Sequence, residues 1–418
     1  MKIRYRSLLH AAPALAAAAV GFGVALPALA QTPPVPDCAN LGGDGGTGHV
    51  VYVGGSSAVK PFLAKLAAKL LTENPPIYLV YPNNTGSCDG VNYMTQTDAT
   101  ITGLGAVYWD GSGSAVPGGC NLEVGGTTVD IGASDVFPDT CGLPDPLQAD
   151  VKDFTGPIQT MTFSVPTSST ATSISAEAAY MVYGFDAAAG KQVTPWTDPT
   201  LLFQRDPNSG TETMIATAIK VPAAKWLGGT NTNKTSDDIF GKITGSGDAS
   251  KIIGILSAAY ADLHRDKVKE LPFQAYGQSC GYLPDSSPTA FDKANVRDGH
   301  YDIWGPLHLL VHTGSDGKAT NPDAQRVIDA LTMAVDPGFD LIQVEAKNGV
   351  IPQCAMHVSR DKEVGAMTSV QPTGDCTCKF VTEATGTAPT ECKTCSTNAN
   401  CTSDATRPVC SHGYCEAK

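Results

Sequence analysis

His49-Val50-Val51-Tyr52-Val53-Gly54-Gly55-Ser56-Ser57-Ala58 opens the part of the chain whose pattern decides the fold. His49 followed by four consecutive β-formers, Val50 to Val53, reads as a buried strand, and the glycine pair marks a tight turn. A helix is expected next, because Phe62, Leu63, Leu66 and Leu70 recur at a period near 3.6 while Lys60, Lys65 and Lys69 fall off that face. Strand, glycine turn and helix form the first unit of a doubly wound α/β lobe.

The pattern continues outward from this unit. Strands are expected at Ile77 to Tyr81, Val129 to Gly132, Ile158 to Val165 and Thr200 to Arg205. Helical periodicity marks Ile174 to Tyr183, Thr213 to Ile219 and Asp323 to Val335, and the alternation continues through Ile252 to Ala261 and Tyr301 to His312. Residues 92–128 are rich in Gly, Thr and Ser and read as an insertion outside the core. No internal repeat interrupts the series.

The first 30 residues read as a secretory leader: Lys2, Arg4 and Arg6, then an apolar Ala-rich run ending in Ala28-Leu29-Ala30, the small-x-small pattern of a cleavage site. Pro13, Gly21, Gly23 and Pro27 interrupt the run, which argues for removal near Ala30 rather than a membrane anchor, and no Cys at that site invites a lipid. A periplasmic, secreted or cell-surface protein is expected. Residues 31–48 read as a flexible Pro- and Gly-rich lead-in.

A mature chain of 388 residues exceeds what one hydrophobic core commonly serves, so two lobes are expected. We place them within residues 49–372, the first at about 49–157 and 313–372 and the second at about 158–312. The formal charge of −13 falls to −16 once the three leader bases are lost, which disfavours nucleic acid or an anionic membrane as partner. A buried anion remains compatible, since peptide dipoles and neutral donors hold it without adding net charge.

All 13 cysteines lie beyond the expected cleavage point, as suits an oxidising compartment. Cys38, Cys88, Cys120, Cys141, Cys280 and Cys354 are spread over the body. The other seven, from Cys376 to Cys415, crowd residues 373–418, a Thr-, Ser- and Asn-rich tail too small to fold on a core alone. Six and seven leave an odd thiol or require a bridge between the two regions, and the pairing stays open. Cys376-x-Cys378 and Cys392-x-x-Cys395 could ligate zinc by spacing, but disulfides are the expected use in an exported tail.

Four polar turns follow strands and precede helices: Gly55-Ser56-Ser57-Ala58, Thr85-Gly86-Ser87, Ala133-Ser134-Asp135 and Arg205-Asp206-Pro207-Asn208-Ser209-Gly210-Thr211. In open α/β sheets ligands sit outside the carboxyl ends of strands, where such turns lie. Each supplies what a tetrahedral oxyanion needs, namely amides at a helix start and small hydroxyls, in most cases beside glycine. Arg205 adds a planar cation able to meet two oxygens at once. One such turn alone is an ordinary helix cap; the recurrence of four in one chain carries the reading.

These residues resemble the substrate-binding proteins of phosphate ABC importers, from about Val50 to His312 and more loosely to residue 370. The most specific piece is Arg205-x-x-x-Ser209-Gly210-Thr211, preceded by Thr194-Pro195-Trp196-Thr197-Asp198-Pro199. Gly86-Ser87-x-x-Gly90-Val91 and Ile131-Gly132-Ala133-Ser134-Asp135 resemble two further loops of the family, and Ile253-Gly254-Ile255 and Gly299-His300-Tyr301-Asp302-Ile303 resemble two of its structural landmarks. The resemblance implies a two-lobed periplasmic-binding-protein-like α/β fold of type II, here with a disulfide-rich C-terminal segment. It implies a monomer that captures phosphate or a related oxyanion without catalysis or cofactor and delivers it to a membrane ABC permease.

It also implies site roles. Ser57 and the Ala58 amide would meet one phosphate oxygen with Ser56 as neighbour, Ser87 a second, and Arg205, Ser209, Gly210 and Thr211 the far side. Asp135 would accept the proton that hydrogen phosphate keeps and sulfate lacks, so that sulfate meets an unpaired, repulsive contact. Two departures bear on affinity: Pro207 stands where the family commonly places an acid that steadies the arginine, and Cys88-Asp89 brings a charge to the second loop.

Other signals point elsewhere more faintly. Gly54-Gly55-Ser56-Ser57-Ala58 lacks the last glycine of a nucleophile elbow, so hydrolase or phosphatase chemistry is disfavoured. His308 and His312 fall at i, i+4 but lack the glutamate of a zinc hydrolase and are expected to be a packed or surface pair. The tail motivates one alternative: an exported surface or matrix protein that reuses the fold and attaches or makes protein contacts through its cysteine-rich segment.

Overall fold

The computed structural model describes residues 35–417, apart from 43–48, 84, 97–98, 104, 143–146, 186–187, 189, 229–234, 246, 333–335 and 337. The expected leader and much of the lead-in lie outside the described residues. Among the described residues no helix is long and apolar enough to cross a membrane.

The opening unit forms as its pattern predicts. Strand β1 (His49–Gly55) buries Val51 and Val53, and α1 (Lys60–Leu70) buries Phe62, Leu63, Leu66, Ala67 and Leu70 on one face. Strand β2 (Ile77–Pro82) and helix α2 (Ser87–Thr95) follow, then the short strands β3 (Gly105–Tyr108) and β4 (Cys120–Asn121) and the strand β5 (Ile131–Ser134). β1 lies between β2 and β5, parallel to both. The stretch read as an insertion departs from expectation: β3 pairs with β2, β4 pairs with β3, and Trp109 is buried in the first core. Small polar residues at its turns hide the few apolar residues that extend the sheet.

The long strand β6 (Val151–Pro166) leads to α3 (Ala176–Phe185), α4 (Gly210–Ile219), α5 (Ser236–Ile243), strand β7 (Gly254–Ser257), the short helix α6 (Ala258–Asp262) and strand β8 (Val268–Glu270). Strand β9 (Trp304–His312) then runs antiparallel to both β5 and β6. The nine strands form one sheet in the order β7-β6-β9-β5-β1-β2-β3-β4, with β8 also on β6. His308 and His312 therefore lie on a strand rather than a helix. His308 is buried with Nδ1 2.6 Å from Asp153 Oδ2, and the more exposed His312 stands 3.1 Å from Asp150 Oδ2. The expected strand at Thr200 to Arg205 reduces to a 3-10 turn at Pro199–Leu201 and a single parallel bridge between Leu202 and Ile253.

Two large hydrophobic cores make two lobes. The first gathers α1, β1, β2, β5 and α7 (Pro322–Thr332). The second gathers α3, α4 and the apolar residues of β6 and β7 around Trp196, Trp226 and Trp304. β9 joins them, Trp304 packing in the second core and Leu307, Leu309 and Val311 in the first. Its register against β6 slips between Pro306 and His308, where the strand passes from one core to the other; proline has no N–H to give the ladder there. From α8 (Leu341–Lys347) onward both cores draw on the chain: Leu341 and Val350 enter the first, Ile342, Ala346 and Met356 the second.

The cysteines pair as Cys38–Cys120, Cys88–Cys141, Cys354–Cys376, Cys378–Cys392, Cys395–Cys410 and Cys401–Cys415, leaving Cys280 as an exposed free thiol. A bridge between body and tail and an odd thiol are thus both present. The lead-in is tied down at the buried Cys38. The tail is docked rather than separate: Cys376 and Phe380, at the start of α9 (Thr377–Thr385), are buried in the second core.

Candidate functional site

The four turns meet around one cavity of about 300 Å³ between the lobes. Its lining contains every residue singled out from the sequence: Ser56, Ser57, Ala58, Ser87, Asp135, Arg205, Ser209, Gly210 and Thr211. The convergence follows from topology. β1 and β5 are adjacent and parallel, so their carboxyl ends lie side by side, and α2 begins beside them. Arg205 and the start of α4 come from the second lobe.

Asp135 stands at the centre, 4% exposed. Its Oδ2 accepts a hydrogen bond from Ser56 Oγ at 2.7 Å and a longer one from Ser87 Oγ at 3.4 Å, and its own amide donates to Ser87 Oγ at 3.1 Å. Oδ1 is buried and makes no hydrogen bond among the described residues. Burial pushes the carboxyl above its ordinary pKa, and the Ser56 and Ser87 hydroxyls, Arg205 and His308 oppose that rise. Ser56 Oγ also accepts from the Ala58 amide at 3.1 Å, which holds the first turn in shape.

Arg205 is 5% exposed, and Nη1 donates to Ser236 Oγ at 3.3 Å. Burial pulls its guanidinium below its ordinary pKa, and Asp135 and Glu212 lead the groups that oppose this. Ser209 is the N-cap residue of α4, with Gly210 and Thr211 its first two helical residues. The Ser209 amide donates to the Asp206 carbonyl at 2.8 Å, while the Gly210 and Thr211 amides belong to the first turn, the positive end of the helix dipole. Gly210 is required sterically: a Cβ there would lie 2.3 Å from Ser87 Oγ and 2.8 Å from Asp135 Oδ2.

The lobes touch beside this cavity. The Asn208 carbonyl accepts from the Cys88 amide at 3.2 Å, and Asn208 Nδ2 donates to Asp89 Oδ1 at 3.3 Å. Gly86 lies so close that a Cβ would come within 2.5 Å of the Asn208 oxygen. Asp89, the extra charge noted in the second loop, also accepts from the Gly86 amide at 2.7 Å and caps α2. Asp206 Oδ1 accepts from the Asn208 amide at 3.0 Å and shapes the arginine loop.

Sequence reasoning missed several lining residues. Lys60, which falls off the apolar face of α1, lines the cavity with its ammonium 4.5 Å from the Tyr81 ring centroid. Gln159, Ser236, Asp237 and Tyr260 also line it. Glu212, in the first turn of α4, is 1% exposed, and burial pushes its carboxyl up to about 9, opposed by the Arg205 amide and guanidinium. No local pattern marks these residues, since their place depends on how the second lobe meets the first.

No family model matches the chain, and no curated protein matches it. Solved structures are similar at low identity. One is described as a possible phosphate binding protein from Planctomyces limnophilus, 14% identical, covering 73% of this chain and 93% of its own, with a TM-score of 0.44. A Clostridium perfringens protein with bound phosphate is 14% identical, covers 72% and 99%, and has a TM-score of 0.48. An ABC-type phosphate transport receptor from Vibrio cholerae is 15% identical, covers 72% and 99%, and has a TM-score of 0.45. At these values the likenesses decide neither ligand nor role. The sheet order, the two cores and the cavity between them make the chain a two-lobed α/β protein, with a disulfide-rich C-terminal segment docked on it.

Proposed function

We propose that this chain is an exported solute-binding protein that holds phosphate, or a closely related oxyanion, in the interlobe cavity and passes it to an ABC permease. The observation that carries the reading is the buried Asp135 carboxyl, one oxygen satisfied by Ser56 and the other without a hydrogen bond among the described residues, in a cavity shared with Arg205 and the start of α4. A protonated oxyanion answers all three at once. It donates its proton to Asp135, meets the guanidinium with its charge, and accepts from the α4 amides. Ser57, Ser87, Ser209 and Thr211 supply hydroxyls around it. The Asn208 contacts to Cys88 and Asp89 are what holds the lobes shut over the anion.

Binding and release, without bond making, is the role this supports, carried out as a monomer outside the cytoplasm. The alternative of a surface or matrix protein keeps the same cavity and differs in partner. The docked tail gives it a physical basis, as a three-bridge module held to the body by a fourth, Cys354–Cys376. Calorimetric titration of the protein, stripped of bound ligand, with phosphate and then sulfate near neutral pH tests the site. Phosphate binding with little sulfate binding, lost in Arg205→Ala, supports it; binding of neither anion overturns it.

A further inference from the structure

The cavity is larger than the oxyanion cradle needs. Its volume of about 300 Å³ lies within the range of pockets that hold small organic ligands. The cradle of Asp135, Arg205 and the α4 start takes up the buried end. The remainder opens toward Lys60, Asp237, Tyr260 and Asn348.

This outer part has its own chemistry. Lys60, the first residue of α1, comes from the first lobe, and Asp237, in the first turn of α5, from the second. Among the described residues the Lys60 ammonium makes no hydrogen bond and no ion pair; its one contact of that kind is the face of Tyr81. Burial pulls the Lys60 ammonium below its ordinary pKa and Asp237 opposes this, so the two groups attract across the cleft without meeting. The Tyr260 hydroxyl donates to Asp237 Oδ1, which fixes that carboxylate in place and leaves its second oxygen to accept elsewhere. Asn348 donates Nδ2 to the Val344 carbonyl, so its side-chain oxygen is the atom left for a donor.

A strong donor facing an acidic acceptor across a gap is the arrangement that fits a hydroxyl, which accepts from one group and donates to the other. A second anionic group fits less well, because Asp237 repels it. We propose that the cleft takes a phosphomonoester of a small polyol, its phosphoryl group in the Asp135–Arg205 cradle and its hydroxyls between Lys60 and Asp237. The proposal rests on the oxyanion reading above and adds the substrate class. The ester enters as its monoanion, ROPO3H−, which keeps the proton that Asp135 accepts and is populated at and below about pH 6. Inorganic phosphate enters the same cradle but leaves the outer groups to water, so the ester gains the charge-assisted hydrogen bonds that phosphate cannot make.

The test is calorimetric titration of the stripped full chain, near pH 6 where the ester keeps a proton, with inorganic phosphate and with glycerol 3-phosphate, repeated on Lys60→Met and Asp237→Asn. The expected result is glycerol 3-phosphate binding about tenfold or more tightly than phosphate, with each variant reducing that ratio about tenfold. Both positions lie near the cleft mouth, and two variants guard against one that folds poorly; a melting curve for each checks this. Phosphate binding with a weaker or absent response to glycerol 3-phosphate overturns the ester proposal while leaving the oxyanion reading standing. An ester advantage that survives both variants overturns the assignment of Lys60 and Asp237. Binding of neither compound overturns both readings together.

Discussion

Ser56 Oγ donates a 2.7 Å hydrogen bond to Asp135 Oδ2, joining the turn after β1 to the turn after β5. The bond fixes which carboxyl oxygen is spent within the protein and which, Oδ1, is left buried without one. On the phosphate reading proposed above, discrimination between anions rests on this single atom. An acceptor left unpaired at the binding site costs far more than a paired one contributes, so a ligand that brings a proton is favoured over one that does not. Asp135→Asn replaces this acceptor pair with an amide that also donates. The expected outcome is a loss of selectivity, sulfate gaining about tenfold or more relative to phosphate, read by parallel titrations near neutral pH.

Gly210→Ala tests the close approach of α4 to the first lobe. The added methyl would overlap Ser87 Oγ and Asp135, so the lobes must stand apart or the Ser87–Asp135 contacts must break. Overpacking of this kind costs about 1–3 kcal/mol, and much of that falls on the closed state. Phosphate affinity is expected to drop by about 10- to 100-fold, with a smaller change in melting temperature of the unliganded protein.

Glu212 should leave a mark on the pH dependence of stability. Its folded pKa is raised to about 9 from 4.5. Between those values the folded state keeps a proton that the unfolded chain has lost, so this group's contribution to stability falls as pH rises through the window. Glu212→Gln removes the titration. Denaturant unfolding at pH 5 and pH 8 should show the variant losing less stability than the wild type over that interval, by on the order of 1–3 kcal/mol. An identical pH dependence in both proteins would show that Glu212 is not the proton holder.

The tail's attachment can be measured directly. Replacing both Cys354 and Cys376 with Ser opens a bridge that spans 22 residues and links the body to α9. A loop of that length contributes about 2–3 kcal/mol by restricting the unfolded chain. The double variant should unfold at correspondingly lower denaturant concentration and release the tail to limited proteolysis ahead of the body. Titration with phosphate should be little changed, because neither cysteine lines the interlobe cavity.

Much of the framework was legible because its signals are local. The spacing of Phe62, Leu63, Leu66 and Leu70 announces one buried helix face whatever packs on it. The four turns announce themselves by residue type at strand ends. Elsewhere local pattern misled. Trp304 to His312 is a strand buried along almost its whole length, and such a run cannot be told from a buried helix by periodicity, which is how His308 and His312 acquired a helical reading. Gly105 to Tyr108 holds the apolar run Ala106, Val107 and Tyr108 before Trp109, but the Gly-, Thr- and Ser-rich stretch around it reads as an insertion; it becomes a strand by pairing with β2.

By itself, then, the sequence determined which segments have a face to bury, where the turns fall, and which residue types the turns carry, since each follows from the chemistry of a few neighbouring residues. Tertiary structure decided the rest: that Asp135 spends one oxygen on Ser56, that Lys60 turns into the cleft, that Glu212 is buried beside Arg205, and which cysteines pair. Each of these depends on distances between groups far apart in the chain. Such distances exist only after the two cores have formed and β6 and β9 have set the lobes against each other.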